Sequence, residues 1–176
     1  MPLSEETKAW LFAAGVPILT SLPAIPASLN KDNLNWFTGL KRPWWSIPGD
    51  KVLPAHLALS AVTLPPLVRA TKEIYLRGAF EKSDTKAALI CYATLFGLGA
   101  VAKPLILKHH CLKLGTYTSV GFTAHTLLLY HLYHNVEAKF GYWTLPFTLL
   151  VLMISFEVYR MWCLNEESDC SVAKKS

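Results

Sequence analysis

The run Ala9–Asn30 holds no charged residue between Lys8 and Lys31, and that single fact excludes most folds. A helix buried in a water-soluble bundle keeps a polar face that returns every 3.6 residues, and this run has none. Three prolines, Pro17, Pro23 and Pro26, must bend or break it, which lipid tolerates when neighbouring groups satisfy the freed carbonyls. Four further apolar runs follow: Val52–Val68, Ala87–Ala102 with its extension Leu105–Leu107, Leu114–Val136, and Gly141–Phe156. A membrane-crossing helix needs roughly 17–25 such residues. The expected fold class is therefore an all-α membrane protein, a five-transmembrane-helix bundle. Its spans fall at about 9–30, 52–69, 87–107, 114–136 and 141–163, inside one domain of residues 1–164.

Composition supports this and excludes alternatives. Over half of the chain (52%) is hydrophobic and only 16% is charged, too few charges to cover a soluble domain. The net charge of +5 is spread between the apolar runs, with no basic stripe carrying aromatic stacking partners, so nucleic acid is not an expected partner. Cations in the loops suit anionic headgroups instead. A small excess of Lys and Arg predicts the strap, the third loop and the C-terminus on the cytosolic side. Cys91, Cys111, Cys163 and Cys170 show no metal-ligand spacing and are expected as free thiols. Glu5 and Glu6 speak against a cleaved leader. Residues 69–86 read as a polar loop, and the tail 165–176 as polar and disordered.

The connection between the first two runs is unlike a linker. Trp36-Phe37-Thr38-Gly39-Leu40-Lys41-Arg42-Pro43-Trp44-Trp45-Ser46-Ile47-Pro48 concentrates aromatic rings, cations and prolines. Proline fixes φ and biases its predecessor to extended backbone, which predicts a stiff, non-helical strap within a loop of residues 31–51. Two roles are open to it: an aromatic belt at the membrane surface, or a lid over a ligand pocket.

Other polar groups within the runs have ordinary and sharper readings. His131 and His134 share a helical face, with His125 nearby, and could ligate a metal or haem iron. No acidic or cysteine cluster accompanies them, so no metal site is expected and hydrogen bonds to neighbouring helices are the simpler reading. His56 is an intramembrane polar group in need of a partner. Glu157 and Arg160 have the spacing of an i,i+3 ion pair. Lys103, before Pro104, can snorkel to the surface or meet a ligand carboxylate. Gly97 and Gly99 form a small-residue face for a close helix neighbour. No nucleotide, zinc-protease or hydrolase motif is present, so no catalytic residue is assigned and enzymatic activity is not the expected one.

The strap, Trp36-Phe37-x-Gly39-Leu40-Lys41-Arg42-Pro43-x-Trp45-x-x-Pro48, closely resembles the first-loop signature of the translocator protein family, also called tryptophan-rich sensory proteins or peripheral-type benzodiazepine receptors. Leu34, Pro54 and Lys72-Glu73 agree with its flanks, and the resemblance covers most of the chain. It implies a five-helix bundle, often a homodimer, embedded in lipid and in eukaryotes mainly in the outer mitochondrial membrane. It also implies a cavity for a flat hydrophobic ligand, a porphyrin, haem precursor or cholesterol-like sterol, with transport or sensing as its role. No resident cofactor is implied; porphyrin or haem would come as ligand. By position, the ligand-binding residues are Trp36, Leu40, Pro43, Trp45, Val52, His56, Leu114 and Ile154, and a sterol segment is Leu152, Phe156 and Arg160. The departures are specific. The family's Asn-Trp-x-Trp segment is replaced by Gly99-Ala100-Val101-Ala102-Lys103-Pro104, and His56 and Leu114 stand where tryptophans are expected. Alternatives are a His-dependent haem or porphyrin redox enzyme and a membrane scaffold without ligand.

Overall fold

A computed structural model describes residues 3–165, and the described residues are helical throughout, with no strand. Helix α1 (Glu5–Ser21) starts four residues before the uncharged run, capped by Ser4, whose Oγ accepts a hydrogen bond from the Thr7 amide at 3.1 Å. It passes through Pro17 and ends at Leu22–Pro23; a short α2 (Ala24–Leu29) follows. Asn30 caps the next helix, α3 (Lys31–Gly39), through Oδ1 to the amides of Asp32 and Asn33. The strap is thus helical as far as Gly39 and extended only from Leu40 on, which corrects the expectation of a wholly non-helical segment. A side-chain cap satisfies the first amides, and the helix stops before Pro43.

After a 3-10 turn, Gly49–Lys51, come four long helices: α4 (Val52–Leu76), α5 (Ser83–His109), α6 (Leu112–Val136) and α7 (Ala138–Leu164). Pro54 sits in the first turn of α4, where a missing N–H costs nothing, and α4 continues through Pro65-Pro66. The expected loop 69–86 shrinks to residues 77–82 because the cations find partners along the helix. Lys72 Nζ lies 3.0 Å from Glu6 and 5.4 Å from the Trp10 ring; Arg69 lies over Trp143, and Arg77 over Phe140. Likewise α5 runs straight on through Lys103-Pro104 to His109.

Helices α1, α4, α7, α6 and α5 pack in that order into a closed ring. Their short connections make successive long helices run antiparallel, so the strap, the α5–α6 turn and the end of α7 share one end of the bundle. The dry core lies towards the other end and includes Leu67, Ile74, Leu89, Tyr92, Leu95, Leu129, Tyr133 and Phe140. Two hydroxyls are met there. Tyr133 Oη and Thr71 Oγ1 are 2.7 Å apart, and Tyr92 Oη donates to the Ala13 carbonyl at 2.6 Å. Ala13 is four residues before Pro17, whose missing N–H leaves that carbonyl without its helical donor. A side chain of α5 thus satisfies the carbonyl that the proline of α1 freed.

Helices α5 and α7 are long and apolar enough to cross a membrane on length and composition. Helices α4 and α6 are comparably long but diluted by Pro, Ser, Thr and His, and α1 is shortened by its break. Of the small-residue pair on α5, Gly99 approaches Phe122 of α6, whereas Gly97 has open space around it. Cys91 and Cys163 are free thiols, but Cys111 is disulfide-bonded, against expectation. The tail expected to be disordered lies, beyond Asn165, outside the described residues.

Candidate ligand-binding site

The strap is held down by α7. Glu157, buried near the end of α7 and read from sequence as paired with Arg160, faces the other way. Its Oε1 lies 3.4 Å from Arg42 Nη1 and accepts a hydrogen bond from Ser46 Oγ. The Arg42 and Glu157 side chains are only 10% and 8% exposed, so the pair is shielded from solvent and removing either partner would leave a buried charge unpaired. Arg42 also donates to the Phe37 carbonyl at 3.1 Å, and its guanidinium sits 4.5 Å over the Phe37 ring. Burial pulls the pKa of this guanidinium below its ordinary value, and Glu157 opposes that pull.

A second clamp lies about two helical turns further on, beyond Met161. Asn165 Oδ1 accepts from the Lys41 amide at 3.0 Å, and Asn165 Nδ2 donates to the Lys41 carbonyl at 2.8 Å. Pro43 is buried between the two clamps. Aromatic stacking closes both margins. Trp45 lies flat on Phe156 of α7, with ring centres 5.6 Å apart, and Trp36 lies flat on His110, 4.8 Å apart. His110 holds a left-handed backbone (φ 48°) at the α5–α6 turn, and its Nε2 is 2.9 Å from Asn33 Oδ1.

Beneath the strap is a cavity of about 100 Å³. Ser28 and Asn33, Leu34 and Phe37 line it from α2 and α3; Val52 and His56 come from α4, and Lys103 and Leu107 from α5. The buried Nε2 of His56 has no hydrogen-bond partner among the described residues. Of the eight ligand residues expected from sequence, Val52 and His56 border this cavity. Trp36, Pro43 and Trp45 fasten the strap above it, and Leu40 joins α3 to the strap's extended part. Leu114 and Ile154 are half-buried on α6 and α7, outside the lining. Leu152, Phe156 and Arg160 form one exposed stripe of α7, and Trp45 covers its middle. Lys41 and Arg42 are not both free to greet a ligand at the mouth, because Glu157 holds Arg42.

A larger hollow of about 450 Å³ between α1 and α4, lined by Trp10, Leu57, Leu64 and Pro65 among others, is an open apolar groove. It lacks converging polar groups, so the smaller cavity is the better ligand site. The α6 histidines serve structure: His125 Nε2 lies 3.0 Å from the Cys91 carbonyl oxygen and 3.1 Å from Thr94 Oγ1, and His131 lies 3.1 Å from Asn135. Among the described residues no group of three or more His, Cys, Asp or Glu could hold a metal ion.

Sequence reading missed Glu157 and Asn165 as strap anchors. The signal was present: a carboxylate inside an apolar helix needs a buried partner, and Arg42 is a cation in the strap.

A helix-bundle end closed by a Trp-rich strap invites comparison with known families, and the TspO/MBR family model matches residues 10–163. The chain belongs to the TspO/MBR family. No individual curated protein and no solved structure matches it. Membership in the TspO/MBR family makes this a membrane protein with a sterol- or porphyrin-related role, in contact with lipid and small hydrophobic molecules. The matched stretch takes in the strap, the cavity lining and the anchors Glu157 and Met161; Asn165 lies two residues beyond it. The strap and its latch are thus part of a TspO/MBR domain rather than an appendage to it.

Proposed function

We propose that this TspO/MBR chain crosses the membrane five times and binds a flat hydrophobic ligand, a porphyrin or a cholesterol-like sterol, under its strap. The observation that carries the reading is the strap's attachment. Between Lys41 and Ser46 its polar ties to the rest of the bundle run to Glu157, Met161 and Asn165 near the end of α7, while Asn33 and Trp36 rest on His110 at the α5–α6 turn. A segment whose 41–46 stretch is fastened to one helix end can lift there, hinged at its His110 contacts, without disturbing the ring of helices. Lifting is needed, because about 100 Å³ is far too little for a tetrapyrrole or a sterol. Opening would join the cavity to the space around Leu114 and Ile154, and would free Trp36 and Trp45 to stack on a planar guest. The roles of Trp36, Leu40, Pro43, Trp45, Val52, His56, Leu114 and Ile154 as ligand contacts belong to this proposal. So do Leu152, Phe156 and Arg160 as a sterol face, the homodimer, and residence in the outer mitochondrial membrane. Transport or sensing is the corresponding activity. A His-based redox reaction draws less support, since His125 is already engaged by α5.

The test is tryptophan-fluorescence quenching of the detergent-purified protein by protoporphyrin and, in parallel, energy transfer to a fluorescent sterol. Saturable binding that weakens in Trp45→Ala supports the reading. Saturation by neither ligand overturns it and leaves a membrane scaffold.

A further inference from the structure

The polar groups around the strap cavity fall into two sets. Ser28 Oγ donates to the Ala24 carbonyl at 2.7 Å. Asn33 is held on both sides, with Nδ2 on the Ala27 carbonyl at 2.8 Å and Oδ1 on His110. These groups are occupied. The other set is His56 Nε2, buried without a partner, and Lys103, which has no ion-pair partner among the described residues. Neither is served by the nearby carboxylate. Glu157 is within electrostatic reach of His56, but it is held by Arg42 and Ser46. Lys103, whose side chain lines the cavity although the residue as a whole is exposed, and the His56 imidazole can both donate, and among the described residues no acceptor is committed to either.

Such a site has a definite complement. A lysine inside a spanning helix is costly unless paired, and an orphaned buried imidazole nitrogen adds to the cost. An alcohol could accept one hydrogen bond but would leave the ammonium uncompensated. A carboxylate accepts from both groups and cancels the charge. Leu34, Phe37, Val52 and Leu107 supply apolar wall for the carbons next to it. The closed volume of about 100 Å³ suits a carboxylate and a few methylenes, with the remainder of the guest outside.

We propose that Lys103 and His56 form an anionic subsite under the strap that selects ligands bearing a carboxylate on a large apolar body over neutral ones. The proposal deepens the functional reading above and rests on it. Two sources share this chemistry, the propionate arm of a tetrapyrrole and the headgroup of a long-chain fatty acid. Both are acids; a sterol is not.

The experiment compares each acid with its uncharged ester on the same detergent-purified protein. Protoporphyrin IX is titrated against its dimethyl ester, and cis-parinaric acid against its methyl ester. The expected result is at least about tenfold tighter binding of one acid than of its ester, as charge-assisted hydrogen bonds supply. Lys103→Gln is expected to remove that ratio while leaving ester affinity in place. His56→Leu reduces the ratio in part, and Lys108→Gln, in the exposed last turn of α5, keeps it. The acid that shows the preference identifies the source. Equal binding of acid and ester overturns the subsite while the functional reading stands, and so does an equal loss of both in Lys103→Gln. Absence of saturable binding by all four compounds overturns the subsite, and the functional reading falls with it only if the fluorescent sterol also fails to bind. If Lys103→Gln fails to fold, the wild-type ratio still decides.

Discussion

At the end of the bundle away from the strap, Leu67, Ile74, Tyr92, Tyr133 and Phe140 are wholly buried, and the Tyr92 and Tyr133 hydroxyls find partners there. At the strap end, the chain buries a charged pair, leaves a cavity, and keeps an imidazole nitrogen without a partner among the described residues. Native interiors are close-packed and their buried polar groups are bonded, so the first end follows the rule and the second departs from it. Departures of that kind are what a binding site requires, since a filled and satisfied end has nothing to offer a guest. The helices are common to both ends. The difference lies in what the connections deliver: single-residue or short turns at one end, and a strap of some twenty residues at the other.

Substitutions at the two ends should therefore separate stability from binding. The largest effect is expected from Phe140→Ala, which empties a wholly buried ring site. The loss should be about 3 kcal/mol, the low end of the range for such a change because lipid rather than water is the outside medium. A lowered thermal midpoint without change in the affinity of the folded fraction would fit. Next comes Glu157→Gln, which leaves Arg42 shielded and uncompensated. A fully enclosed pair would lose about 3–5 kcal/mol, but here the strap can lift and hydrate the guanidinium, so the loss is smaller. The expected readout is faster tryptic cleavage after Lys41 and Lys51 with little change in midpoint. Unchanged cleavage would mean that the latch does not hold the strap.

Tyr92→Phe should cost about 1–2 kcal/mol, because the Ala13 carbonyl freed by Pro17 loses its donor inside lipid. Restoring a helical donor with Pro17→Ala in the same chain should recover much of that loss, which a purely packing role for Tyr92 would not allow. Trp45→Ala removes one stacked pair, worth about 1 kcal/mol, and should again appear as strap opening rather than as global unfolding. The smallest effect concerns the α6–α7 turn. Hydrogen bonding from Lys139, and the Arg77 charge, hold the Glu137 carboxyl below its usual pKa. That contribution is present above the ordinary carboxylate pKa and is lost as pH falls through the lowered value, so acid below the ordinary carboxylate range should loosen this turn, as faster amide exchange at residues 137–139 would show.

How much was legible depended on the kind of signal. Long uncharged runs announced the helices, because such runs depend on neighbours in sequence. Prolines inside the runs do not all act alike: α4 and α5 continue through Pro65-Pro66 and Pro104, whereas α1 ends before Pro23. The cations beyond the second apolar run looked like a loop, but Arg69 and Lys72 pair with rings and carboxylates of distant helices. Glu157 shows the same limit at the site. Its sequence neighbour Arg160 was the evident partner, while the actual one, Arg42, lies 115 residues away and meets it only after folding. Local chemistry can be read along a chain; the closure of a ring of helices cannot.

The claim that binding belongs to the strap end is tested most directly by hydrogen–deuterium exchange of the detergent-purified protein with and without protoporphyrin. The account predicts added protection confined to residues 31–51, the first turns of α4 and the last turns of α5 and α7, with exchange at Leu89–Leu95 and Leu129–Tyr133 unchanged. Protection centred on those core segments, or on the open groove between α1 and α4, would contradict it.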